Sequence, residues 1–388
     1  MTENQLPIPA RISLVGTGFV SNGLVMLLQQ FPWANLTHVL TRRNIQACKE
    51  YPRQDLLTNS LDQIIDNSDL VVECSGDVIH ATEVIDRVMA AGIPIVTMNA
   101  EFHATVGSYY VSKGVISETE GDQPGSLAAL KEEILLMGFE PLVYGNIKWF
   151  LNYNQTPEEV IYWSEKLGIR PTQVMNFTDG TKLQVEQTLV ANGLGADIAV
   201  DGLIGRESAS LEEGAQALGV IASHKGGPIA DFIRAKSAPS GVFIVATHTN
   251  EQAPYLDYYK MGDGPYYTLL RPYHLCHVEM PKTIKRIIDG RKPLLNNSEN
   301  PTISVVGLAK NPLPAGHVIE KGIGSFDTRG ISIRIADDPD HVPIGLLDGG
   351  VLKHSIEPGQ RIRFQDIDIP NSLALDVWRK IRDKVLNS

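Results

Sequence analysis

A glycine-rich turn between a short apolar run and a segment with helical periodicity constrains the fold of this chain most. Residues 11–24 read RISLVGTGFVSNGL. The spacing predicts a β-strand, a tight turn made by Gly16, and a helix whose free backbone N–H groups lie beside Gly18. A dinucleotide pyrophosphate would bind there. The third position of the G-x-G-x-x-G pattern is Ser21, so the match is imperfect, and a simple tight turn is the alternative.

The residues after the second apolar run bear on the choice of coenzyme. Residues 36–40 lead into Thr41, Arg42 and Arg43, about 20 residues after the glycines, where an acidic residue would hold the ribose 2′-hydroxyl of NAD. Two guanidinium groups can bind a 2′-phosphate instead, so the sequence favours NADP(H) over NAD(H). Two solvated surface arginines are the alternative.

Further apolar runs alternate with predicted helices. Residues 69–73 (DLVVE) are typical of a buried parallel strand, a helix is predicted over 79–91, and residues 94–98 (PIVTM) repeat the strand pattern. This alternation predicts an α/β fold with a Rossmann-type doubly wound parallel sheet. The expected coenzyme contacts are Gly16, Thr17, Gly18, Phe19, Val20, Thr41, Arg42, Arg43, Ser75, Gly76 and Asn99.

The length of 388 residues predicts more than one core. We expect an NAD(P)-binding domain over 1–150 and a second α/β domain, which binds substrate, over 151–300. Part of residues 266–290 can return to either of them. Over 301–388, short β-rich runs separated by turn signals predict a small β-rich domain.

Charge and composition limit the partners. The formal net charge of −11 argues against nucleic acid or an anionic membrane as a partner. The first residues lack the basic flank and apolar core of a signal peptide, and no apolar run is long enough to span a membrane, so we expect a cytoplasmic protein. Cys48, Cys74 and Cys276 lack C-x-x-C spacing, which predicts neither disulfides nor a zinc site.

Motifs along the chain resemble known families. GTGFVS, VVECSG and AAGIPIVTMNAE occur in the order typical of the homoserine dehydrogenase superfamily. Residues 341–369 are similar to the β-clip-like SAF fold of sialic acid synthase C-terminal domains and antifreeze-like proteins. The resemblance is strongest to the deoxyxylulose-phosphate reductoisomerase-like (DRL) branch of the superfamily. The motifs that carry it are MNAEFHATVG (98–107), EGDQPGS (120–126), FTDGTKLQVEQTLVAN (177–192), SGVFIV (240–245) and GPYYTLLRPYHLCHVEMP (264–281). This resemblance implies an NAD(P)-dependent oxidoreductase that dimerises through its middle domain.

Two departures from the family patterns bear on the activity. Homoserine dehydrogenases usually have a lysine after the asparagine of the third motif, whereas Asn99 is followed here by Ala100. Homoserine dehydrogenase activity is therefore not implied. Where the DRL branch reads roughly AGKGKNNP, this chain reads YGNIKWFLN, which retains Lys148 but has Asn146 at the first lysine. Losing this cation argues against deoxyxylulose phosphate as the substrate.

Candidate catalytic residues cluster around a predicted helix start. A hydride step needs an acid for the substrate oxygen and cations for any charged group. Asp179 follows a predicted strand over 174–177, and Lys182 and Glu186 continue from it at spacings of three and four, which places all three on one helix face. Lys182 is the candidate acid, because burial lowers the pKa of a lysine. A helix cap with an i,i+4 ion pair is the alternative.

A second candidate group lies near the end of the middle region. His274 could relay a proton and Arg271 could hold a carboxylate or phosphate, although buried polar packing is the alternative. Glu101 and His103 follow the strand that ends beside the expected nicotinamide, where they could contact substrate or a metal. We predict catalytic roles for Lys182, Lys148, Asp179 and His274, and substrate contacts from Glu101, His103, Glu186 and Arg271. Metal ligands stay unassigned, and a divalent metal is an open alternative.

Three functions remain open. The favoured one is an NADP(H)-dependent oxidoreductase acting on a small sugar-like or sugar-phosphate substrate, with a reductoisomerase reaction as its more specific form. The alternatives are a simple dehydrogenase of a hydroxy acid or nucleotide-linked sugar, and a non-catalytic module that senses NADP(H). In each case we expect a small-molecule partner and a homo-oligomer.

Overall fold

The N-terminal part of the chain forms a parallel sheet of six strands in the order β3-β2-β1-β4-β5-β6. The computed structural model describes residues 5–387. Residues 1–4 and 388 lie outside the described residues. They belong to the first and the last of the three predicted domains. The strands are β1 Ala10–Val15, β2 Ala34–Leu40, β3 Leu57–Thr58, β4 Leu70–Glu73, β5 Ile95–Thr97 and β6 Ile116–Glu118. This arrangement confirms the predicted Rossmann-type sheet.

Helices cover both faces of this sheet, because its strands are apolar on both sides. Val71 belongs to one hydrophobic cluster and Val72 to another, as alternating residues of a strand must. The helices in this part of the chain are α1 Phe19–Leu28, α2 Leu61–Asp66, α3 Val78–Ala90, α4 Ala100–Val106 and α5 Gln123–Leu136. The parallel strands end together at one edge, and the candidate site lies there.

A second, mixed sheet has five strands in the order β11-β10-β7-β9-β8. One face packs against α5 and the helix α8, and the other packs against α9. The strands are β7 Glu140–Lys148, β8 Arg206–Glu207, β9 Ile229–Arg234, β10 Val242–Thr247 and β11 Tyr267–Arg271, and the helices are α6 Pro157–Leu167, α7 Pro171–Thr178, α8 Thr181–Leu194, α9 Leu211–Lys225, α10 Ala253–Tyr258 and α11 Met280–Ile288. The first sheet thus ends at residue 118, and β7 already belongs to the second.

The strand predicted over residues 174–177 is wrong, because these residues lie inside helix α7. Pro171 stands at the first helical position, where its missing N–H costs nothing. Val174 and Met175 pack against Val160 of α6 in a small separate cluster. A stretch of four residues with three apolar side chains fits a strand or one turn of a helix equally well, so its periodicity could not distinguish them.

Residues 266–290 contribute to both sheets. Strand β11 pairs with β10 at the edge of the second sheet. Helix α11 returns to the first sheet, where Met280 and Ile284 join the cluster that contains Leu14 of β1. The connection between β11 and α11 therefore crosses the space between the two sheets.

The C-terminal part adds short strands and a final helix. These are β12 Ile303–Ala309, β13 Val318–Ile319, β14 Thr328–Arg334, β15 Gly350–Leu352, β16 Ile367–Asp368 and α12 Leu373–Leu386. Trp378 of α12 belongs to the same hydrophobic cluster as Val71 of the first sheet. Strand β14 also contacts α8, since Gly330 N donates to Thr181 Oγ1 (3.0 Å) and Ser332 N donates to Gln184 Oε1 (2.8 Å). The division into three domains stays a prediction.

Within residues 5–387, none of the helices has the length and apolar character needed to cross a lipid bilayer.

Candidate active site

The turn after β1 has the backbone geometry that a close approach requires. Gly16 has φ of +103°, a region that L-residues with a side chain rarely adopt. A Cβ at Gly16 would lie 3.0 Å from the carbonyl oxygen of Cys74 and from the Cα of Ser75. A Cβ at Gly18 would meet nothing within 4 Å, and no side chain caps the start of α1 there. Phe19 is exposed and Val20 is half-buried. The turn therefore leaves free N–H groups facing open space, as a pyrophosphate site needs.

The residues predicted to bind the adenosine end lie around a cavity of about 690 Å³. Thr41, Arg42 and Arg43 line this cavity at the carboxyl end of β2. Thr41 is buried, and its Oγ1 lies 3.4 Å from Thr17 Oγ1. Arg42 Nη2 pairs with Asp77 Oδ2 at 2.7 Å, while the side chain of Arg43 is exposed. One of the two guanidinium groups therefore already has an acidic partner.

A buried glutamate that the sequence analysis missed organises the next part of the edge. Glu73 ends β4 and accepts hydrogen bonds from Ser75 N (2.7 Å), Thr97 Oγ1 (3.2 Å) and Asn99 Nδ2 (3.0 Å). Burial raises the pKa of Glu73. The side chain of Asn99 also accepts from Phe102 N and caps α4. Asn99 thus has partners on both ends of its amide, and Gly76 makes the adjacent turn with φ of +67°.

Lys182 lies at the centre of a cluster of carboxylates. Its Nζ is 3.5 Å from Asp122 Oδ2, 3.6 Å from Glu186 Oε1 and 3.9 Å from Glu101 Oε1. Burial favours the neutral amine, but these three carboxylates and Glu118 outweigh it and raise the pKa of Lys182 well above its ordinary value. The expectation that burial lowers the pKa of Lys182 towards neutrality is therefore wrong. Lys182 carries a full positive charge at neutral pH.

Glu186 is the group of this cluster that titrates near neutrality. It is fully buried, and its Oε2 accepts from Asn146 Nδ2 at 2.9 Å. Burial raises the pKa of Glu186 to about 7, against the opposing effect of Lys148 and Lys182. The Gln123 amide, with its nitrogen towards the carboxylates, donates to Glu186 Oε1 at 3.2 Å and to Asp122 Oδ1 at 2.8 Å. A group of this kind can accept or release a proton during turnover.

His274 and Lys148 border the same cluster. The Nε2 of His274 lies 3.4 Å from the amide of Gln123, and burial lowers the pKa of His274, so the imidazole is neutral. Lys148 ends β7 and acts electrostatically on both Glu186 and His274. Within residues 5–387, Lys148 forms no ion pair. The structure therefore brings Lys148, Lys182, Glu186, Glu101 and His274 together, and their roles stay predictions.

Asp179 does not join this group. Its Oδ2 pairs with Lys310 Nζ at 2.6 Å, and its Oδ1 accepts from Thr181 N at 2.9 Å. The prediction that Asp179 shares a helix face with Lys182 is wrong, because α8 begins only at Thr181. Gly180, with φ of +81°, intervenes and breaks the helical spacing.

His103 is separated from the cluster by burial. Its ring is fully enclosed, with Nε2 at 3.7 Å from Glu118 Oε2, and burial lowers the pKa of His103 to about 3. Burial also raises the pKa of Glu118 well above its ordinary value. The two groups therefore face each other uncharged, and His103 is not open to a substrate in this arrangement. Glu118 was not among the predicted site residues.

Arg271 is already occupied by acidic side chains. Its Nη2 lies 3.0 Å from Glu120 Oε2 and 3.2 Å from Glu279 Oε1. Lys282 contacts the same two glutamates. Arg271, which was predicted to bind a substrate carboxylate or phosphate, is thus part of a local ion-pair network that joins β11 to the start of α11.

The family comparison bears on residues at the centre of this site. Residues 121–280 match the model of the family "Oxidoreductase DRL, catalytic domain". The matched range includes Asp122, Lys148, Lys182, Glu186 and His274. The protein is an oxidoreductase. This match agrees with the resemblance to the DRL branch, while the SAF-like C-terminal region stays a prediction.

Solved structures with a related architecture include several dehydrogenases. The dehydrogenase MviM from Clostridium difficile is 12% identical, with 75% of this chain and 94% of that chain covered and a TM-score of 0.43. UDP-N-acetylglucosamine 3-dehydrogenase GnnA from Acidithiobacillus ferrooxidans is 11% identical, with coverages of 74% and 92% and a TM-score of 0.43. Homoserine dehydrogenase from S. aureus is 15% identical, covers 47% of this chain and 50% of its own, and has a TM-score of 0.30. These similarities do not identify a substrate for the oxidoreductase. No curated protein sequence matches the chain.

In the part of the oxidoreductase that the structure describes, residues 5–387, no group of three or more His, Cys, Asp and Glu side chains is arranged to hold a metal ion.

Proposed function

We propose that this oxidoreductase uses NADP(H) to interconvert a carbonyl and a hydroxyl group on a small sugar-like molecule. The observation that carries the proposal is the position of the Lys182 cluster. Lys182 contacts Glu101 and Asp122, which follow β5 and β6 at the carboxyl edge of the sheet that also carries the open Gly16 turn. Coenzymes of Rossmann-type sheets bind along this edge.

The residues at the turn fit a dinucleotide. Gly16 would let the turn pass close to the backbone of Cys74, and the open space beside Gly18 would admit the pyrophosphate to the start of α1. Arg42 and Arg43 would hold the 2′-phosphate. When bound, the nicotinamide supplies or accepts a hydride.

The chain's own groups then handle charge and protons. Lys182 is a fixed ammonium, suited to stabilise negative charge that develops on the substrate oxygen. Its high pKa makes it a weak proton donor, whereas Glu186, with a pKa of about 7, can exchange a proton at neutral pH. We assign electrostatic stabilisation to Lys182 and proton transfer to Glu186, with His274 on the opposite side of Gln123.

Replacing Arg42 and Arg43 together by alanine tests the coenzyme assignment. The affinity for NADPH is expected to fall by roughly 10²- to 10⁴-fold, since each of the two charge-assisted contacts contributes about 1.5–3 kcal/mol. The affinity for NADH is expected to stay within about twofold. Titration calorimetry with each nucleotide measures both. Arg53→Ala is the control, because Arg53 is likewise a surface arginine paired with an aspartate, Asp55.

The more specific form of the proposal is a carbon-skeleton rearrangement coupled to reduction, supported by the resemblance to the DRL branch. NMR of the product from a 13C-labelled substrate tests it. A rearranged skeleton is expected, and an unchanged skeleton would leave a simple dehydrogenase. We also expect a cytoplasmic homo-oligomer, and light scattering on the purified protein reports the oligomeric state.

A further inference from the structure

We propose that the substrate of this site carries no phosphate or carboxylate group and is an uncharged polyhydroxylated molecule. The inference rests on the proposed function and names the substrate class of the same site. It follows from a comparison of the cations and the anions that surround Glu186.

The cations near the site are already paired. Lys182 has three carboxylate oxygens within 4 Å. Arg271 is held by Glu120 and Glu279, which it shares with Lys282. On the far side of α8, Lys310 pairs with the fully buried Asp179. A phosphate bound to Lys182, Arg271 or Lys310 would have to displace a carboxylate that this cation already holds.

Lys148 forms no ion pair within residues 5–387, but it is a single cation beside several carboxyl groups. Lys148 already acts electrostatically on Glu186 and on His274. Glu101, Asp122 and Glu186 all face Lys182, so three carboxyl groups lie beside two ammonium groups, those of Lys182 and Lys148. Burial raises the pKa of Glu186 despite the two lysines, so removal from water already disfavours a charged group at this position. A phosphate dianion beside Lys148 would be repelled by the same carboxylates.

Asn146 is the residue that sets this balance. It is fully buried in β7, and its Nδ2 donates to Glu186 Oε2 at 2.9 Å. Its neutral amide satisfies this oxygen with a hydrogen bond and adds no charge. A lysine at position 146 would add a cation beside Glu186 and two residues from Lys148. Hydroxyl groups, in contrast, can donate to carboxylates and need no cation, so the existing site suits a polyol or an unphosphorylated sugar.

Calorimetric titration with inorganic phosphate tests the charge balance directly. The protein is first saturated with NADPH, so that the pyrophosphate turn and the arginines are occupied. Asn146→Lys is expected to bind phosphate at least about tenfold more tightly than the unaltered protein. Glu186→Gln, which removes a carboxylate and keeps the side-chain shape, is expected to shift binding in the same direction. Circular dichroism establishes that each variant is folded.

Two results would overturn the proposal. One is phosphate binding by the unaltered protein that is as tight as in Asn146→Lys and is lost in Lys148→Ala. The other is no gain in either Asn146→Lys or Glu186→Gln. If NADPH itself fails to bind in the loading step, the proposed function is refuted, while the titration of the coenzyme-free variants still reports the charge balance.

A substrate panel gives an independent readout. Glucose, fructose, xylulose and erythrose are each compared with their terminal monophosphates in an assay of NADPH oxidation and in ligand-observed NMR binding. The unphosphorylated member of each pair is expected to bind or react better, by about tenfold or more in kcat/KM for any pair that reacts. A sugar phosphate that surpasses its parent sugar contradicts the proposal.

Discussion

Replacing Lys182 by alanine is expected to lower kcat/KM by roughly 10²- to 10³-fold, the size of effect seen when one preorganised electrostatic donor is removed. The affinity for NADPH is expected to stay nearly unchanged, because Lys182 lies on α8 and not at the Gly16 turn. The same change leaves Glu101, Asp122 and Glu186 without their common cation. We therefore also expect a loss of about 3 kcal/mol in the free energy of unfolding, as buried carboxylates lose their partner.

Steady-state kinetics and coenzyme calorimetry on the same preparation measure the two effects separately. Lys236→Ala is the control, since Lys236 is an exposed lysine that follows β9 of the second sheet. Urea unfolding of both variants identifies any share of the rate loss that comes from instability. Activity within a few-fold of the unaltered enzyme would remove Lys182 from the reaction.

Replacing Glu186 by glutamine is expected to abolish the pH dependence that this carboxyl imposes on the rate. In the direction of alcohol oxidation with NADP+, kcat/KM of the unaltered enzyme should rise with pH and level off above about 7, where Glu186 becomes the ionised base. In Glu186→Gln this limb should be flat and the rate lower by roughly 10²- to 10⁴-fold, the usual contribution of general acid–base catalysis. A limb that persists in the variant would assign the titration to another group.

The free energy of unfolding of the unaltered enzyme should fall as the pH rises, whereas its rate increases. The folded-state pKa of Glu186 is about 7, above its ordinary value of 4.5, so the folded state binds the proton more tightly. Stability from this group is therefore present at low pH and is lost as the pH rises from about 4.5 to about 7, by about 3 kcal/mol. Glu186→Gln should lack this loss. Urea unfolding at about pH 5 and about pH 8 measures it.

Asp231→Asn is a suitable comparison for the kinetic experiment. Asp231 is also buried, with a pKa raised by burial to about 6, but it lies in β9 and accepts hydrogen bonds from Ile204 N and Gly205 N. Its replacement should alter the pH dependence of stability and leave the pH limb of kcat/KM in place.

Local sequence patterns predicted the first half of the fold well. The strand, Gly16 turn and helix α1 are encoded within a few residues, and so is the capping box of Thr156 and Glu159 at the start of α6. The predicted helix begins at Phe19, because the turn leads directly into it. Errors arose where local patterns are ambiguous, as in the apolar run at 174–177.

The electrostatics of the site could not be read from neighbouring residues. Lys182 is 60 and 81 positions away from Asp122 and Glu101, so nothing near it in the sequence indicated these two carboxylates, which raise its pKa together with Glu186. The same holds for Arg271 and Glu120. Glu73 and Glu118 did have a local signal, since each is a glutamate that ends an apolar strand at the edge where ligands bind.

The hydrogen bonds between α8 and β14 have a consequence for how this protein can change over time. The helix that positions Lys182 has its other side fixed to Gly330 and Ser332 through Thr181 and Gln184. The C-terminal region therefore cannot be exchanged for an unrelated module, as an accessory joined by a flexible tether could be. Any successful graft must reproduce these backbone donors, and a deletion that removes β14 would take away the support of α8 together with the strand that pairs with β12.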